Sequence, residues 1–260
     1  FVSCSPYQKA LKSEDSSEKL KEAMLQYEKG KFGKAITLFE QIAPSYKGRP
    51  QGERMFYFFA MSNYNLGKKV SAYYVTAAYQ FESFAAGYPL SDKREEARFL
   101  AGESLYFLSP VYSLDQEGTN KAIDKLQQFI DSYPKSDYLP KANQYVKELR
   151  ERIEKKAFEN AKQFNTIAEW AGDFKAPLRA LDNFLSDYPG TPYKEDALFY
   201  KLDTVYKYAI NSIESKKEER LLNAKIAYEV LIKFNSESKY RDEADKMIKN
   251  IDKELTQFSK

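Results

Sequence analysis

Apolar and small residues recur along the chain at helical spacing, and each run closes on the same short segment. Phe84-Ala85 leads to Tyr88-Pro89, Phe129-Ile130 to Tyr133-Pro134, and Phe184-Leu185 to Tyr188-Pro189. Two weaker copies, Ile42-Ala43 to Tyr46-Lys47 and Val230-Leu231 to Phe234-Asn235, keep the internal offset but lack the proline. Seven and three positions before the first member stand Ala35 and Phe39, Ala77 and Phe81, Ala122 and Leu126, Pro177 and Leu181, and, most weakly, Asn223 and Ala227. Offsets of 0, 4, 7 and 8 draw one stripe along an α-helix. The Tyr-Pro pair predicts its end, because proline donates no backbone hydrogen bond and keeps the preceding residue out of the helical region. Ser91, Ser136 and Thr191 follow two residues after the prolines, placed to accept from free amides where the next helix begins, and Pro192 suits that helix's first turn.

The stops at 47, 89, 134, 189 and 235 are separated by 42, 45, 55 and 46 residues, room for two antiparallel helices each. The first helix of each pair reads as Ala23 to Tyr27 before Gly30, Phe56 to Tyr64 before Gly67, Ala97 to Tyr106, Ala161 to Ala168 before Gly172, and Leu198 to Tyr206. Strand-like alternation is essentially missing. Small residues that let helices approach, with Phe and Tyr filling the gaps, resemble tetratricopeptide (TPR) repeats, although the period exceeds the roughly 34 residues of that family. The resemblance implies an all-α, right-handed helical solenoid of about five helix-pair repeats. Residues 1–19 read as a flexible tether, 20–140 as repeats 1–3, and 141–260 as repeats 4–5 with a C-terminal helix. In TPR geometry the first helix of each pair lines the concave face, which singles out Tyr27, Tyr57, Met61, Tyr64, Asn65, Arg98 and Tyr106 as candidate groove residues for a peptide or partner. With 21 tyrosines in the chain, several must instead be packing residues. Trp170, near the turn at Gly172, reads either as an interface residue or, the favoured reading, as packing between repeats four and five.

Charge narrows the chemistry mainly by exclusion. Charged residues make up 30% of the chain yet leave only +3, so no nucleic-acid footprint is expected. There is no histidine, which removes His-based triads and His metal sites. A lone cysteine makes no disulfide, and no phosphate loop or nucleophile elbow is visible. Neither catalytic residues nor a metal or diffusible cofactor are expected, and the chain reads as a scaffold rather than an enzyme. No stretch reaches the roughly 18–20 apolar residues of a spanning helix. Phe1-Val2-Ser3-Cys4 resembles a bacterial lipobox, with Ser3 as the small residue and Phe1 where leucine is usual. The resemblance implies a covalent lipid on Cys4 as the membrane anchor.

Ser109-Pro110, Leu114-Asp115-Gln116, Thr119, Ala122, Phe129 and Tyr133-Pro134-x-Ser136-x-Tyr138 together resemble the BamD family of outer-membrane lipoproteins. The likeness runs on through the long helix from about Ala142 to Tyr188-Pro189-x-Thr191 and Asp196-Ala197-Leu198, and departs from the family around Gln163 to Trp170. It makes Asp115, Gln116 and Thr119 a signature segment, Thr119 also reading as a helix cap. It implies a lipid-anchored, periplasm-facing scaffold of the β-barrel assembly (BAM) machinery of the outer membrane. The implied partners are a BamA-like insertase, docked on the C-terminal repeats, other subunits of that machine, and the targeting segments of unfolded outer-membrane proteins, received by the N-terminal repeats. A different periplasmic TPR lipoprotein, of the SusD glycan-uptake or Tol-Pal type, is the alternative.

Overall fold

The computed structural model describes residues 5–258, so Cys4 lies outside the described residues. Those residues form twelve α-helices and no strand, and the chain divides into two compact units, residues 1–153 and 154–260. The division falls inside one helix. The first unit holds α1 (Pro6–Lys12), α2 (Ser16–Glu28), α3 (Phe32–Tyr46), α4 (Gly52–Gly67), α5 (Tyr73–Gly87), α6 (Arg94–Leu108), α7 (Glu117–Ser132) and the start of α8 (Leu139–Ala171). The second holds the rest of α8 with α9 (Lys175–Asp187), α10 (Lys194–Ile210), α11 (Glu214–Phe234) and α12 (Arg241–Leu255). Within each unit consecutive helices pack against one another, the TPR-like arrangement expected from the repeat.

The repeated stop has one geometry in three places. The amides of Tyr88, Tyr133 and Tyr188 donate to the carbonyls of Phe84, Phe129 and Phe184 at 2.9, 2.9 and 3.0 Å, closing α5, α7 and α9. The two rings of each pair lie 5.3 Å apart. Ser91, Ser136 and Thr191 then accept from the amides of Lys93, Tyr138 and Tyr193 at 3.0, 3.1 and 3.1 Å. These amides belong to the turn before the helix, and Pro192 likewise sits in that turn, ahead of α10 at Lys194. Ser238 does the same for Tyr240 at 3.1 Å, so the fifth copy keeps the hydroxyl without the proline. The second residue after the hydroxyl then covers an aromatic ring of an earlier helix. Tyr138 stacks on Phe99 at 4.6 Å, Tyr193 on Phe158 at 4.7 Å and Tyr240 on Phe199 at 3.9 Å. In the second repeat that residue is Lys93, whose ammonium lies 5.4 Å from the Tyr57 ring, a cation–π contact in place of a stack.

Three local features differ from the sequence reading. Residues 6–12, read as part of a flexible tether, form α1, because the Ser5 hydroxyl caps it and Ala10 is buried against the first-repeat core with Tyr7 and Leu11 beside it. The 55-residue spacing reflects one unbroken 33-residue helix, α8. Its first part buries Ala142, Tyr145, Val146 and Leu149 in the first unit, and its later part buries Phe158 and Ala161 in the second. Gly67 does not stop α4 by adopting a left-handed conformation, as Gly30 does after α2 at φ +69°. It stays helical, and glycine is required there by close approach, since a β-carbon would fall 2.8 Å from the Tyr74 ring.

Candidate functional site

In the first unit the facing helices α4, α6 and α8 carry tyrosines and carboxylates at one-turn and two-turn spacing. The node is Glu103 on α6, 2% exposed. It accepts from the Tyr64 hydroxyl of α4 at 2.6 Å, from the Tyr145 hydroxyl of α8 at 2.7 Å, and from the Lys141 ammonium at 2.6 Å. One turn along α6, the Tyr106 hydroxyl donates to Glu148 of α8, its ring stacks on Tyr145 at 3.9 Å, and the Arg152 guanidinium lies 5.4 Å above it. Towards the chain start, Tyr57 packs edge-on against Phe58 and Phe84, and Tyr27 of α2 lies 4.8 Å from Phe58.

Burial raises the Tyr57, Tyr64 and Tyr145 phenols far above their ordinary range. The Glu96 carboxylate near Tyr57 and the Glu103 carboxylate on the other two add to the effect. The Tyr106 hydrogen bond in turn holds the Glu148 carboxyl below its usual range. Cations sit over this aromatic surface: Lys68 over Tyr64 at 5.0 Å, Lys93 over Tyr57, and Lys141 over Tyr145 at 5.5 Å. The Glu103 oxygens are already engaged by three donors, so this node positions helices rather than moving protons. The node is therefore buried, and what remains open to a partner is the half-buried row beside it.

The structure brings together most of the residues singled out from sequence. Tyr57 and Tyr64 are buried and serve the core, whereas Tyr27, Met61 and Tyr106 are half-buried beside them. Asn65 is committed locally, donating to the Met61 carbonyl at 2.9 Å and accepting from Lys68 at 2.9 Å. Arg98 stands apart: it meets Glu82 of α5 at 3.3 Å, where Lys125 of α7 also pairs at 3.1 Å. Sequence reasoning missed Glu103, Lys141, Tyr145 and Glu148. The available signal was one carboxylate inside the run Phe99-Leu100-Ala101-Gly102-Glu103-Ser104, where a charge is kept only with partners.

The signature segment builds the loop between α6 and α7. Asp115 accepts from the Glu117 amide at 2.9 Å. The Gln116 side chain donates to the carbonyls of Val111 and Leu114 at 2.9 Å and accepts from Thr119 at 2.7 Å. Thr119, fully buried, also meets the Ser109 hydroxyl at 2.6 Å. Asp115 and Gln116 therefore fold the loop, and Thr119, which lies inside α7 rather than capping it, ties that loop to the helix. The profile of the YfiO family, described as outer membrane lipoprotein, matches residues 12–171, from the end of α1 through α8. The chain belongs to this family. It is the BamD family read from the signature residues, and it associates the protein with the outer membrane. The match ends before α9, so α9–α12 lie outside it. No curated protein matches the chain. Among the described residues no helix is long and apolar enough to cross a membrane.

Trp170, expected to pack between repeats, is 91% exposed, in the region where the chain departs from the family pattern. The α8 face turned inward there carries Ala161, Asn165 and Ala168, and Asn165 binds Asp203 and Thr204 at 2.9 Å. Phe164, Ile167 and Trp170 fall on the opposite side of the helix.

Proposed function

We propose that this YfiO-family chain is a non-enzymatic scaffold of the outer-membrane β-barrel assembly machinery, anchored on the periplasmic side by a lipid on Cys4. Its first unit receives targeting segments of unfolded barrel proteins, and its second docks the BamA-like insertase. The observation that carries the reading is the family match over the first unit, whose facing helices also present the Tyr27–Tyr106 surface. Unpaired strand amides and an aromatic chain end would find polar partners and rings there. Docking on the second unit is supported by α11, which is apolar on two sides. Leu221, Ala224 and Leu231 are buried, while Leu222, Ile226, Val230 and Phe234 are 47, 57, 45 and 48% exposed. An exposed apolar row of that length is what a protein interface requires.

The reading is tested by photo-crosslinking in native membranes, with the reactive residue at Met61 or at Ile226. Met61 should trap unfolded barrel proteins and Ile226 a large β-barrel with periplasmic domains. Recovery of a glycan transporter or Tol-Pal components at both positions would overturn it. Intact-mass analysis of the membrane-derived protein should show an acylated Cys4, and a free thiol there would remove the anchor.

A further inference from the structure

Short connections fold consecutive helices of the first unit back on one another, so alternate connections share an edge. The α2–α3, α4–α5 and α6–α7 connections lie on one edge, and the α3–α4, α5–α6 and α7–α8 connections, which carry the repeated stops, lie on the other. The two edges differ in what they show to solvent. Among the described residues, the connections of the stop edge expose Leu90 alone of the large apolar side chains. On the first edge Val70 is 51% exposed, Tyr73 37%, Phe107 43% and Val111 63%. These side chains adjoin one another. The Phe107 ring stacks at 5.1 Å on Tyr74, next in the chain to Tyr73, and the Tyr73 amide donates to the Val70 carbonyl at 3.1 Å. The Gln116 side chain fixes the Val111 carbonyl at 2.9 Å, so the loop that shows Val111 is a tied one. Exposed lysines stand beside them: Lys29 and Lys31 in the α2–α3 connection and Lys68 and Lys69 in the α4–α5 connection, with Asp115 the single acid in the three connections.

The chain start points to the same edge. A short link joins the end of α1 to Ser16, which lies on the stop edge with its hydroxyl 3.3 Å from that of Ser45 near the end of α3. Tyr7, near the start of α1, instead meets the Lys34 ammonium at 4.8 Å, in the first turn of α3. Cys4 is bonded to Ser5, the cap of α1, and one residue of chain spans only about 3.5 Å. A lipid on Cys4 therefore holds this edge, and not the stop edge, at the membrane.

We propose that this edge is a membrane-contact surface, on which Val70, Tyr73, Phe107 and Val111 enter the headgroup region of an anionic phospholipid layer. The orientation rests on the Cys4 anchor proposed above. Two features of the edge itself select lipid. The apolar side chains project from helix ends and connections, where a layer lying across the edge meets all of them, rather than along one helix as on α11. Lysines beside them match phosphate charge, and their apolar stems and the amphipathic Tyr73 ring suit the boundary between headgroups and acyl chains.

Flotation with vesicles of phosphatidylcholine and phosphatidylglycerol tests this, every full-length chain carrying Cys4→Ser so that the anchor plays no part. The parent chain should float with the vesicles, and severalfold less with phosphatidylcholine alone. Val70→Glu combined with Val111→Glu should lower the partition coefficient at least tenfold, whereas Leu90→Glu on the stop edge should leave it unchanged. Circular dichroism should show both variants folded, since all three side chains are exposed. A parent chain that does not float, a double variant that floats as well as the parent, an equal loss with Leu90→Glu, or indifference to phosphatidylglycerol would each overturn the inference. So would a parent chain that stays in solution while the double variant loses a co-purifying protein, which would give the edge to a protein partner. An edge that floats beside a free Cys4 thiol in membrane-derived protein would remove the anchor alone, and an acylated Cys4 with an edge that does not float would remove the edge alone.

Discussion

Replacing Glu103 by alanine should be among the most damaging single changes in the first unit, and its size follows from what the carboxylate holds. Two of its three donors, the Tyr64 and Tyr145 hydroxyls, belong to residues 8% exposed, so water cannot readily replace the lost acceptor. A buried donor left without a partner costs about 1–3 kcal/mol. The third donor, Lys141, has a side chain 53% exposed and turns to solvent at little cost. Adding the methylenes removed gives a loss of about 3–5 kcal/mol for Glu103→Ala. Glu103→Gln keeps one acceptor and should lose only about 1–2 kcal/mol. The triple change Tyr64→Phe, Glu103→Leu, Tyr145→Phe removes donors and acceptor together and should end closer to wild type than Glu103→Ala alone. Urea unfolding followed by far-ultraviolet circular dichroism gives the free energy. Hydrogen exchange then assigns it: protection should fall in residues 52–67, 94–108 and 139–153. If Glu103→Ala loses less than about 1 kcal/mol, or if the triple variant is no better, the phenols are solvated and the node does not hold the three helices.

The raised phenols of Tyr57, Tyr64 and Tyr145 make the first unit sensitive to alkali. Because their folded pKa lies above the unfolded value near 10, their contribution is complete below pH 10 and is lost above it. The slope is about 1.4 kcal/mol per pH unit for each, and phenolate absorbance at 295 nm should show a late fraction appearing only with unfolding. In the second unit, hydrogen bonds from Lys239 and Tyr240, at 2.6 and 2.5 Å, outweigh burial and hold the Asp196 carboxyl below its usual range. Its contribution is therefore present above about pH 4 and lost as the pH falls below it. Asp196→Asn should abolish that part of the acid sensitivity at a cost of about 1 kcal/mol at pH 7. Gly67→Ala places a methyl 2.8 Å from the Tyr74 ring and should lose about 1–3 kcal/mol by thermal unfolding, whereas Gly87→Ala, with open space around it, should be neutral or stabilising.

The sequence by itself determined the helix-pair repeat and its stops, because these depend on contacts a few residues apart. Proline chemistry at the stops and the Phe-to-Tyr spacing act within one turn and appear where the pattern put them, whereas the following hydroxyls and Pro192 fall in the turn ahead of the next helix. The family, too, was legible, carried by the loop-building Asp115, Gln116 and Thr119. What tertiary structure decided were the partners of side chains separated by a whole repeat. Glu103 reads in sequence as one more acid among many, and only the approach of α4 and α8 gives it Tyr64 and Tyr145. Arg98 lies on the same helix, yet a rotation around the axis turns it to Glu82 instead of the tyrosine surface. Trp170 was expected to pack between repeats four and five, but Asn165 and the alanines beside it hold the inward side of α8. Hydrophobicity sets how much surface a helix buries, whereas the packing of its neighbours sets which surface remains for a partner.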